Sequence, residues 1–177
     1  MATDVVLQEL ATSLSQRMLT TGWRLATAES CTGGWIAKIL TDLPGSSRWF
    51  DSGFICYSNA AKMRDLGVAS RTIEVHGAVS EAVAREMAGG ALRVTGAQLA
   101  LAVTGIAGPD GGTEEKPVGT VWFGAALYRD EKARSDPSVP ALITEGRLFG
   151  GGREAIRRLS VEHVLRLALR WAEASAL

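Results

Sequence analysis

The sequence lacks the features that mark several large classes of protein. It has only two cysteines, Cys31 and Cys56. They are too few for a disulfide framework and lack the spacing of zinc ligands, so no metal site is expected. Lys and Arg together number 19, as do Asp and Glu. Because general attraction to nucleic acid or to a membrane surface needs a basic excess, neither partner is expected.

Targeting signals and common nucleotide-binding signatures are also missing. The N-terminus has no basic segment followed by an apolar run, so we expect neither a signal peptide nor a membrane span. The expected location is therefore the cytoplasm, with both thiols reduced. No Gly-Lys-Ser/Thr follows a glycine-rich loop, as a P-loop requires, and no Gly-x-Gly-x-x-Gly follows the first predicted strand. Hydride transfer is therefore unsupported.

What is present is the composition of an ordinary globular protein, with 46% hydrophobic and 21% charged residues. No repeat, low-complexity segment or shift in composition marks a second domain, so residues 1–177 are predicted to form one domain. Apolar spacing predicts a helix over residues 4–20, and capping residues predict helices over 59–66 and after Ser80. Further helices are predicted over 35–40, before Pro44-Gly45, and over 153–174, after three glycines. Strands are predicted over residues 24–27, 49–57, 98–104, 118–128 and 141–149.

The order of these elements predicts an α/β fold. Helices alternate with strands early in the chain, whereas adjacent strands late in the chain indicate a hairpin. The segment from Arg129 to Pro140 is charged and contains proline, which is typical of a mobile hairpin tip. We therefore expect a mixed β-sheet flanked by helices on both faces, in three layers (αβα).

The segment Ala28-Glu29-Ser30-Cys31-Thr32-Gly33-Gly34 lies where the first predicted strand passes into a helix. A helix N-terminus concentrates unpaired N–H groups and partial positive charge, which suits an anion. Ser30 could act there as a nucleophile, or it could cap the helix, which is what serine usually does at such a position. As a nucleophile it would have four neighbours whose N–H groups can stabilise an oxyanion: Cys31, Thr32, Gly33 and Gly34.

A serine hydroxyl is a poor nucleophile until a base removes its proton. The segment Tyr57-Ser58-Asn59-Ala60-Ala61-Lys62 offers one, because Lys62 would lie in the first turns of a helix capped by Ser58 or Asn59. The positive helix end and partial burial would lower the pKa of Lys62. The Tyr57 phenol could relay the proton or hold the lysine in place. The alternative is a surface lysine and a tyrosine at the sheet edge.

A glycine-dense loop follows the buried strand at 98–104. Loops at the carboxyl ends of strands bind ligands in open α/β sheets, so this loop is predicted to form a wall of a ligand site rather than a simple turn. The residues expected to contact the ligand are Thr104, Gly105, Ala107, Gly108, Pro109 and Gly111. Arg153, which begins the last helix after three glycines, is a candidate for binding phosphate or carboxylate, or else an exposed arginine on a solvated face.

These segments resemble, in order and over residues 5–172, the CinA C-terminal domain family in its stand-alone form. The resemblance is carried by Ala28–Gly34, Tyr57–Lys62, Gly77–Ser80, Thr104–Gly112 and Lys116–Val121. It implies a nicotinamide-nucleotide amidohydrolase, which converts nicotinamide mononucleotide (NMN) and water to nicotinate mononucleotide and ammonia in pyridine nucleotide recycling. No metal or organic cofactor is implied.

The resemblance also implies roles for individual residues. Ser30 would be the nucleophile, Lys62 its general base and Tyr57 an assisting group, while the Thr104–Gly112 loop would lie against the nucleotide. Arg153 would contact the phosphate. A homo-oligomer is expected by the same analogy, with Trp35 and Trp171 as candidate apolar faces.

Two other functions stay open on the sequence. The first is a nucleotide-binding or regulatory module that keeps the pocket without turnover, because a fold alone does not guarantee activity. The joint presence of Ser30, Tyr57 and Lys62 argues against it. The second is a serine–lysine amidase that acts on another small amide, which nothing in the sequence excludes.

Overall fold

The fold is described from a computed structural model over residues 2–128 and 140–174. Apart from Pro140, the hairpin tip predicted at Arg129 to Pro140 lies outside these residues. The helices of the described chain are α1 (Asp4–Thr21), α2 (Trp35–Thr41), α3 (Asn59–Leu66), α4 (Ser70–His76), α5 (Glu81–Thr95) and α6 (Arg153–Ala174). The strands are β1 (Leu25–Glu29), β2 (Phe50–Ile55), β3 (Leu99–Gly105), β4 (Thr120–Leu127) and β5 (Ala141–Leu148), and a 3-10 turn occupies Ser46–Arg48.

The five strands form one mixed sheet in the order β2-β1-β3-β4-β5. β1 runs parallel to both β2 and β3, whereas β4 is antiparallel to β3 and β5. Glu29, the last residue of β1, pairs with Ile55 of β2 and Val103 of β3. The chain leaves β1 toward β2 on one side and later returns as β3 on the other. The carboxyl end of β1 is therefore a topological switch point, where open α/β sheets bind ligands.

The two faces of the sheet are covered by different helices, which confirms the predicted three layers. Successive strand side chains point to opposite faces. On one face, large side chains such as Leu101, Val103 and Phe123 form a core with buried residues of α1, α2 and α6. On the other face, Ala100 and Ala102 pack against α3 and α5.

Small residues let α5 lie close to the sheet and to α3. A Cβ on Gly124 of β4 would lie 2.4 Å from the carbonyl oxygen of Ala84 in α5. A Cβ on Gly90 of α5 would lie 2.1 Å from the carbonyl oxygen of Leu66, at the end of α3. Any larger side chain at these positions would push the elements apart, so the glycines set the position of α3 against the sheet.

The helix α4 has no counterpart among the predicted elements. None of its residues is buried, and its N-cap Ala69 makes no side-chain capping bond. Instead, the carboxylate of Glu86 in α5 accepts hydrogen bonds from the N–H of Ala69 (2.8 Å) and the hydroxyl of Thr72 (2.6 Å). The sequence of α4 carries no apolar stripe, and the group that stabilises its first turn lies in another helix. Local sequence signals therefore do not predict this helix.

Of the two tryptophans expected to mark an apolar oligomer face, Trp171 is buried in this chain, whereas Trp35 stays partly exposed. Trp171 is only 7% exposed and belongs to the core of this chain. The ring of Trp35 is covered by the guanidinium groups of Arg157 and Arg158, 5.3 and 4.9 Å from its centroid. Homo-oligomerisation stays a prediction from the family resemblance. Over the described residues, no helix is both long enough and apolar enough to cross a bilayer.

Candidate active site

A cleft of about 270 Å³ opens beside the carboxyl ends of β1 and β3 and the start of α3. Ten of the predicted site residues line it: Ser30, Cys31, Tyr57, Lys62, Thr104, Gly105, Ala107, Gly108, Gly111 and Arg153. Four do not, namely Thr32, Gly33, Gly34 and Pro109. Five further residues line the cleft that were not among the predicted site residues: Asn59, Ala78, Val79, Ile106 and Asp110. Ile106 and Asp110 belong to the Thr104–Gly112 loop that the family resemblance places against the nucleotide. The predicted segments thus meet at one place, at the switch point of the sheet.

The buried carboxylate of Glu29, not Ser30, caps helix α2. Its Oε2 accepts the N–H groups of Gly34 (3.0 Å) and Ile36 (3.1 Å), and its Oε1 accepts that of Ala37 (2.8 Å). The N-cap residue is Gly34, and the Ser30 side chain makes no bond to the helix. The capping interpretation of Ser30 is therefore wrong. The same carboxylate occupies the helix N-terminus, so this end of α2 does not offer an anion site.

Two glycines allow the tight backbone turn of the strand-to-helix corner, residues 30–34, between β1 and α2. Gly33 and Gly34 have φ angles of +62° and +90°, which other residues rarely adopt. Their N–H groups are both engaged, that of Gly33 with the carbonyl of Ser30 (3.0 Å) and that of Gly34 with Glu29. Over the described residues, the N–H groups of Cys31 and Thr32 donate to no other residue. Of these two residues only Cys31 lines the cleft, whereas Thr32 has no exposed surface. The N–H of Cys31 is therefore the predicted oxyanion donor that stays available.

Lys62 is buried, with an exposed fraction of 1%, and points at Ser30. Its Nζ lies 3.0 Å from the Ser30 Oγ, 2.9 Å from the carbonyl oxygen of Cys56 and 3.2 Å from that of Tyr57. The alternative of a surface lysine is wrong. Ser58 caps α3 by accepting the Ala61 N–H (3.1 Å), and a helical side chain leans toward the N-terminus, so Lys62 reaches back to the end of β2.

The surroundings of Lys62 favour its neutral form. Burial lowers the pKa of Lys62, and the neighbouring thiols of Cys56 and Cys31 oppose this effect less strongly. A neutral amine has two N–H donors and one lone pair. Two carbonyl oxygens match the two donors, which leaves the lone pair for the hydroxyl proton of Ser30. This geometry is compatible with the predicted pairing of a serine nucleophile and its base.

Tyr57 contacts Lys62 through its backbone carbonyl rather than through its phenol. The phenol oxygen accepts a hydrogen bond from Arg153 Nη2 at 3.0 Å, and the side chain is 58% exposed. Arg153 also donates from Nη1 to the carbonyl oxygen of Gly108 (2.8 Å). Arg153 therefore joins two walls of the cleft, the Tyr57 corner and the glycine-rich loop.

Residues 76–79 form a third wall of the cleft, and Thr104 and Lys116 hold this segment through hydrogen bonds to its backbone. The Thr104 hydroxyl donates to the carbonyl of Ala78 (2.8 Å). The Lys116 Nζ donates to the carbonyls of His76 (2.6 Å) and Val79 (2.8 Å). Thr104 thus positions the 76–79 segment. The sequence offered a signal for this wall, because Gly77–Ser80 is part of the family resemblance, but no role followed from its residue types.

The thiols near the cleft are poor nucleophiles. Burial raises the pKa of Cys31 to about 12, and burial together with the carboxylate of Asp65 raises the pKa of Cys56 to about 11. Both thiols are therefore protonated at neutral pH. His163 contacts Glu145 (3.1 Å) and partners neither thiol. Over the described residues, no group of three or more His, Cys, Asp or Glu side chains is arranged to hold a metal ion.

Comparisons with known proteins by family model, by sequence and by structure each find matches that cover nearly the whole chain. The family model of the CinA C-terminal domain matches residues 7–171. The nicotinamide-nucleotide amidohydrolase PncC of Escherichia coli K12 is 48% identical over 163 residues, 92% of this chain and 93% of that protein. The protein of the same name from Enterobacter agglomerans is 50% identical over 164 residues, 93% and 94% of the two chains. The crystal structure of the competence/damage inducible protein CihA from Agrobacterium tumefaciens matches with a TM-score of 0.85 and 40% identity, over 93% of this chain and 96% of that one.

Proposed function

We propose that this chain, which belongs to the CinA C-terminal domain family, hydrolyses the carboxamide of NMN with Ser30 as nucleophile and Lys62 as base. The observation that carries the proposal is the 3.0 Å contact between the Ser30 Oγ and the buried Lys62 Nζ, inside the cleft. The choice of substrate is supported by two relatives with nearly half of their residues identical, both named nicotinamide-nucleotide amidohydrolase.

The first half of the reaction makes an acyl-enzyme. The neutral amine of Lys62 takes the hydroxyl proton of Ser30 while the Oγ attacks the carboxamide carbon, which produces a tetrahedral oxyanion. The N–H group of Cys31, which lines the cleft and donates to no other described residue, is the donor left to stabilise that oxyanion. The Lys62 ammonium then returns the proton to the departing nitrogen. The C–N bond breaks, ammonia leaves, and the nicotinoyl ester of Ser30 remains.

The second half of the reaction returns the free enzyme. Water enters where ammonia left, and Lys62 takes one of its protons as the oxygen attacks the ester carbon. The second tetrahedral intermediate collapses with release of the Ser30 Oγ, which regains a proton from Lys62. The carboxylic acid formed gives its proton to solvent, so nicotinate mononucleotide leaves as a carboxylate, and one water is consumed for each ammonia formed.

Arg153 is proposed to bind the phosphate of the nucleotide. Its guanidinium lies at the cleft and donates one hydrogen bond to each of two walls, through Gly108 and Tyr57. A guanidinium has five N–H donors, so several remain for phosphate oxygens. Lys62 is proposed to be reserved for chemistry, since its Nζ is buried against Ser30 and two carbonyls.

The test is ammonia release from four amides under the same conditions: NMN, nicotinamide riboside, nicotinamide and glutamine. We expect release from NMN and much less from the riboside, which lacks the phosphate. Ser30→Ala is the control for contaminating activity. Binding of NMN without ammonia release would identify a nucleotide-binding module. Faster release from an amide other than NMN would identify an amidase of different specificity, and either result would overturn the proposal.

A further inference from the structure

Lys116 lies beside the cleft, and its ammonium binds both ends of the third wall, residues 76–79. The Nζ donates to the carbonyl oxygens of His76 (2.6 Å) and Val79 (2.8 Å). Over the described residues, no carboxylate forms an ion pair with Lys116. Lys116 itself does not line the cleft, whereas Ala78 and Val79 of the wall do. A lysine that serves only surface charge would keep its ammonium in water.

We infer that Lys116 is a positioning residue for substrate binding, an inference that rests on the proposed function. It holds the third wall in the arrangement that the substrate meets, and so sets KM without contact with the substrate. Ala78 and Val79 carry no side-chain group that can attack a carbonyl or transfer a proton, so the wall contributes contact with the bound substrate. The reacting pair is held separately, since the side-chain hydrogen bonds of Ser30 and Lys62 involve neither Lys116 nor the wall.

Side chains hold the third wall, which joins α4 to α5. The Ser80 hydroxyl donates to the carbonyl of Gly77 (2.9 Å), and the Thr104 hydroxyl donates to that of Ala78 (2.8 Å). With the two bonds from Lys116, each of the four carbonyls of the wall accepts a hydrogen bond from a side chain. Helix α4, which precedes the wall, has no buried residue that could hold it from that side. The two ends of the wall therefore depend on Lys116.

The ammonium extends from a closed turn that packs against the glycine-rich loop. The Thr113 N–H donates to the Lys116 carbonyl (2.9 Å), and the Lys116 N–H donates to the Thr113 hydroxyl (3.1 Å). The loop lies close to the residues that follow this turn, because a Cβ on Gly112 would be 2.7 Å from the backbone nitrogen of Val118. Lys116 thus joins the glycine-rich loop to the third wall, as Arg153 joins the same loop to the corner after β2.

The test begins with Lys116→Met, which removes the charge and both hydrogen bonds but keeps the long stem. A wall that holds its binding arrangement for only about a tenth of the time raises the apparent Kd about tenfold. We therefore expect KM for NMN to rise by roughly 10-fold with kcat nearly unchanged, as when uniform binding is lost. Lys116→Arg should recover part of the loss, because a guanidinium keeps the charge and has N–H donors for both carbonyls.

Lys38→Met is the matched control. Lys38 is an exposed lysine of α2 that pairs with Asp42 (2.6 Å) and does not line the cleft, so its KM should match that of the wild type. Hydrogen exchange over residues 70–80 reports on the wall directly and should be faster in Lys116→Met but not in Lys38→Met. Calorimetric titration of NMN into Ser30→Ala, with and without Lys116→Met, should give the same stoichiometry and a Kd that rises with KM.

Each result decides between the possible roles of Lys116. An unchanged KM, a fall in kcat with KM kept, or unchanged hydrogen exchange over the wall in Lys116→Met would overturn the inference alone. A loss of binding stoichiometry in the double variant would assign Lys116 to folding, with the same consequence. A wild-type chain that releases no ammonia from NMN would overturn the proposed function and this inference with it.

Discussion

Two strand-to-helix corners of this protein look alike in sequence and behave differently. In each, a serine follows or closely follows the end of a strand, β1 for Ser30 and β2 for Ser58, and a helix begins within a few residues. Ser58 caps its helix by accepting the Ala61 N–H. Ser30 makes no such bond, and its hydroxyl contacts the amine of Lys62.

The difference arises from one buried carboxylate. Glu29 binds three N–H groups at the start of α2 and thereby satisfies the helix end without help from Ser30. Among the described residues, no carboxylate binds the start of α3, where Ser58 is the cap. Because Glu29 already accepts the N–H groups at the start of α2, the Ser30 hydroxyl is left free to contact Lys62. The lysine of the second corner is then positioned to contact the free serine of the first.

The largest effect is expected from Ser30→Ala. If Ser30 is the nucleophile, kcat for ammonia release from NMN should fall by roughly 10⁴- to 10⁶-fold, as for other nucleophile deletions. NMN binding measured by calorimetry should persist, because the hydroxyl serves the reaction more than affinity. The matched Ser58→Ala change should leave most activity. Equal rates in wild type and Ser30→Ala would end the nucleophile assignment.

Replacing Lys62, the amine of the corner after β2, should lower kcat somewhat less than Ser30→Ala does. Lys62→Met keeps a long apolar stem but has no base, so kcat should fall by roughly 10²- to 10⁴-fold. Lys62→Arg keeps the positive charge but has no lone pair at accessible pH, so it should be as inactive as Lys62→Met. Circular dichroism would show whether both variants are folded. If Lys62→Arg retained full activity, charge rather than proton transfer would be the contribution of Lys62.

The pH profile of the wild type offers a test that needs no variant. Lys62 must be neutral to act as a base, so kcat/KM should rise with pH, about tenfold per unit, until the pKa of Lys62 is passed. Because burial lowers that pKa from the ordinary value of 10.5, the rise should level off below that pH. A profile that is flat wherever the chain stays folded would place the base elsewhere.

Glu29→Gln should make the first corner less stable. The amide keeps one acceptor oxygen, but its NH₂ group faces a backbone N–H that has lost its partner. An unsatisfied buried donor costs about 1–3 kcal/mol, and the free energy of unfolding in urea should fall by that amount. The exposed Glu9→Gln serves as the control and should leave stability nearly unchanged. Equal stability of the two variants would mean that Glu29 does not hold the corner.

The smallest effect is expected from Ser58→Ala. Loss of a helix cap typically costs about 1 kcal/mol of stability, and Ser58→Thr should restore most of it because threonine also caps. Activity should change far less than in Ser30→Ala, since the Lys62 Nζ is held by the carbonyls of Cys56 and Tyr57. A large loss of kcat with unchanged stability would show that Ser58 takes part in the reaction.

Much of this architecture could be predicted because its signals are local. The bounds of α1 follow nearly to the residue from its apolar spacing, and those of α6 from the three glycines that precede it. The sequence likewise predicts the Ser80 cap, and it offers Ser58 and Asn59 as alternatives for the cap of α3, of which the structure shows Ser58. Helix α4 could not be, because the group that stabilises its first turn is Glu86 of another helix.

The sequence by itself determined the fold class, the family and the segments that meet at the cleft, because hydrophobic spacing and short motifs are properties of neighbouring residues. It left Ser30 open between cap and nucleophile, and it gave no role to Glu29 or Lys116. Only the tertiary structure excluded the capping role of Ser30 and showed that Glu29 caps α2 instead. The distances from Lys62 to Ser30 and from Lys116 to the carbonyls of the third wall join residues far apart in the chain. Such contacts exist only after the sheet and the helices beside it have packed, so no local pattern encodes them.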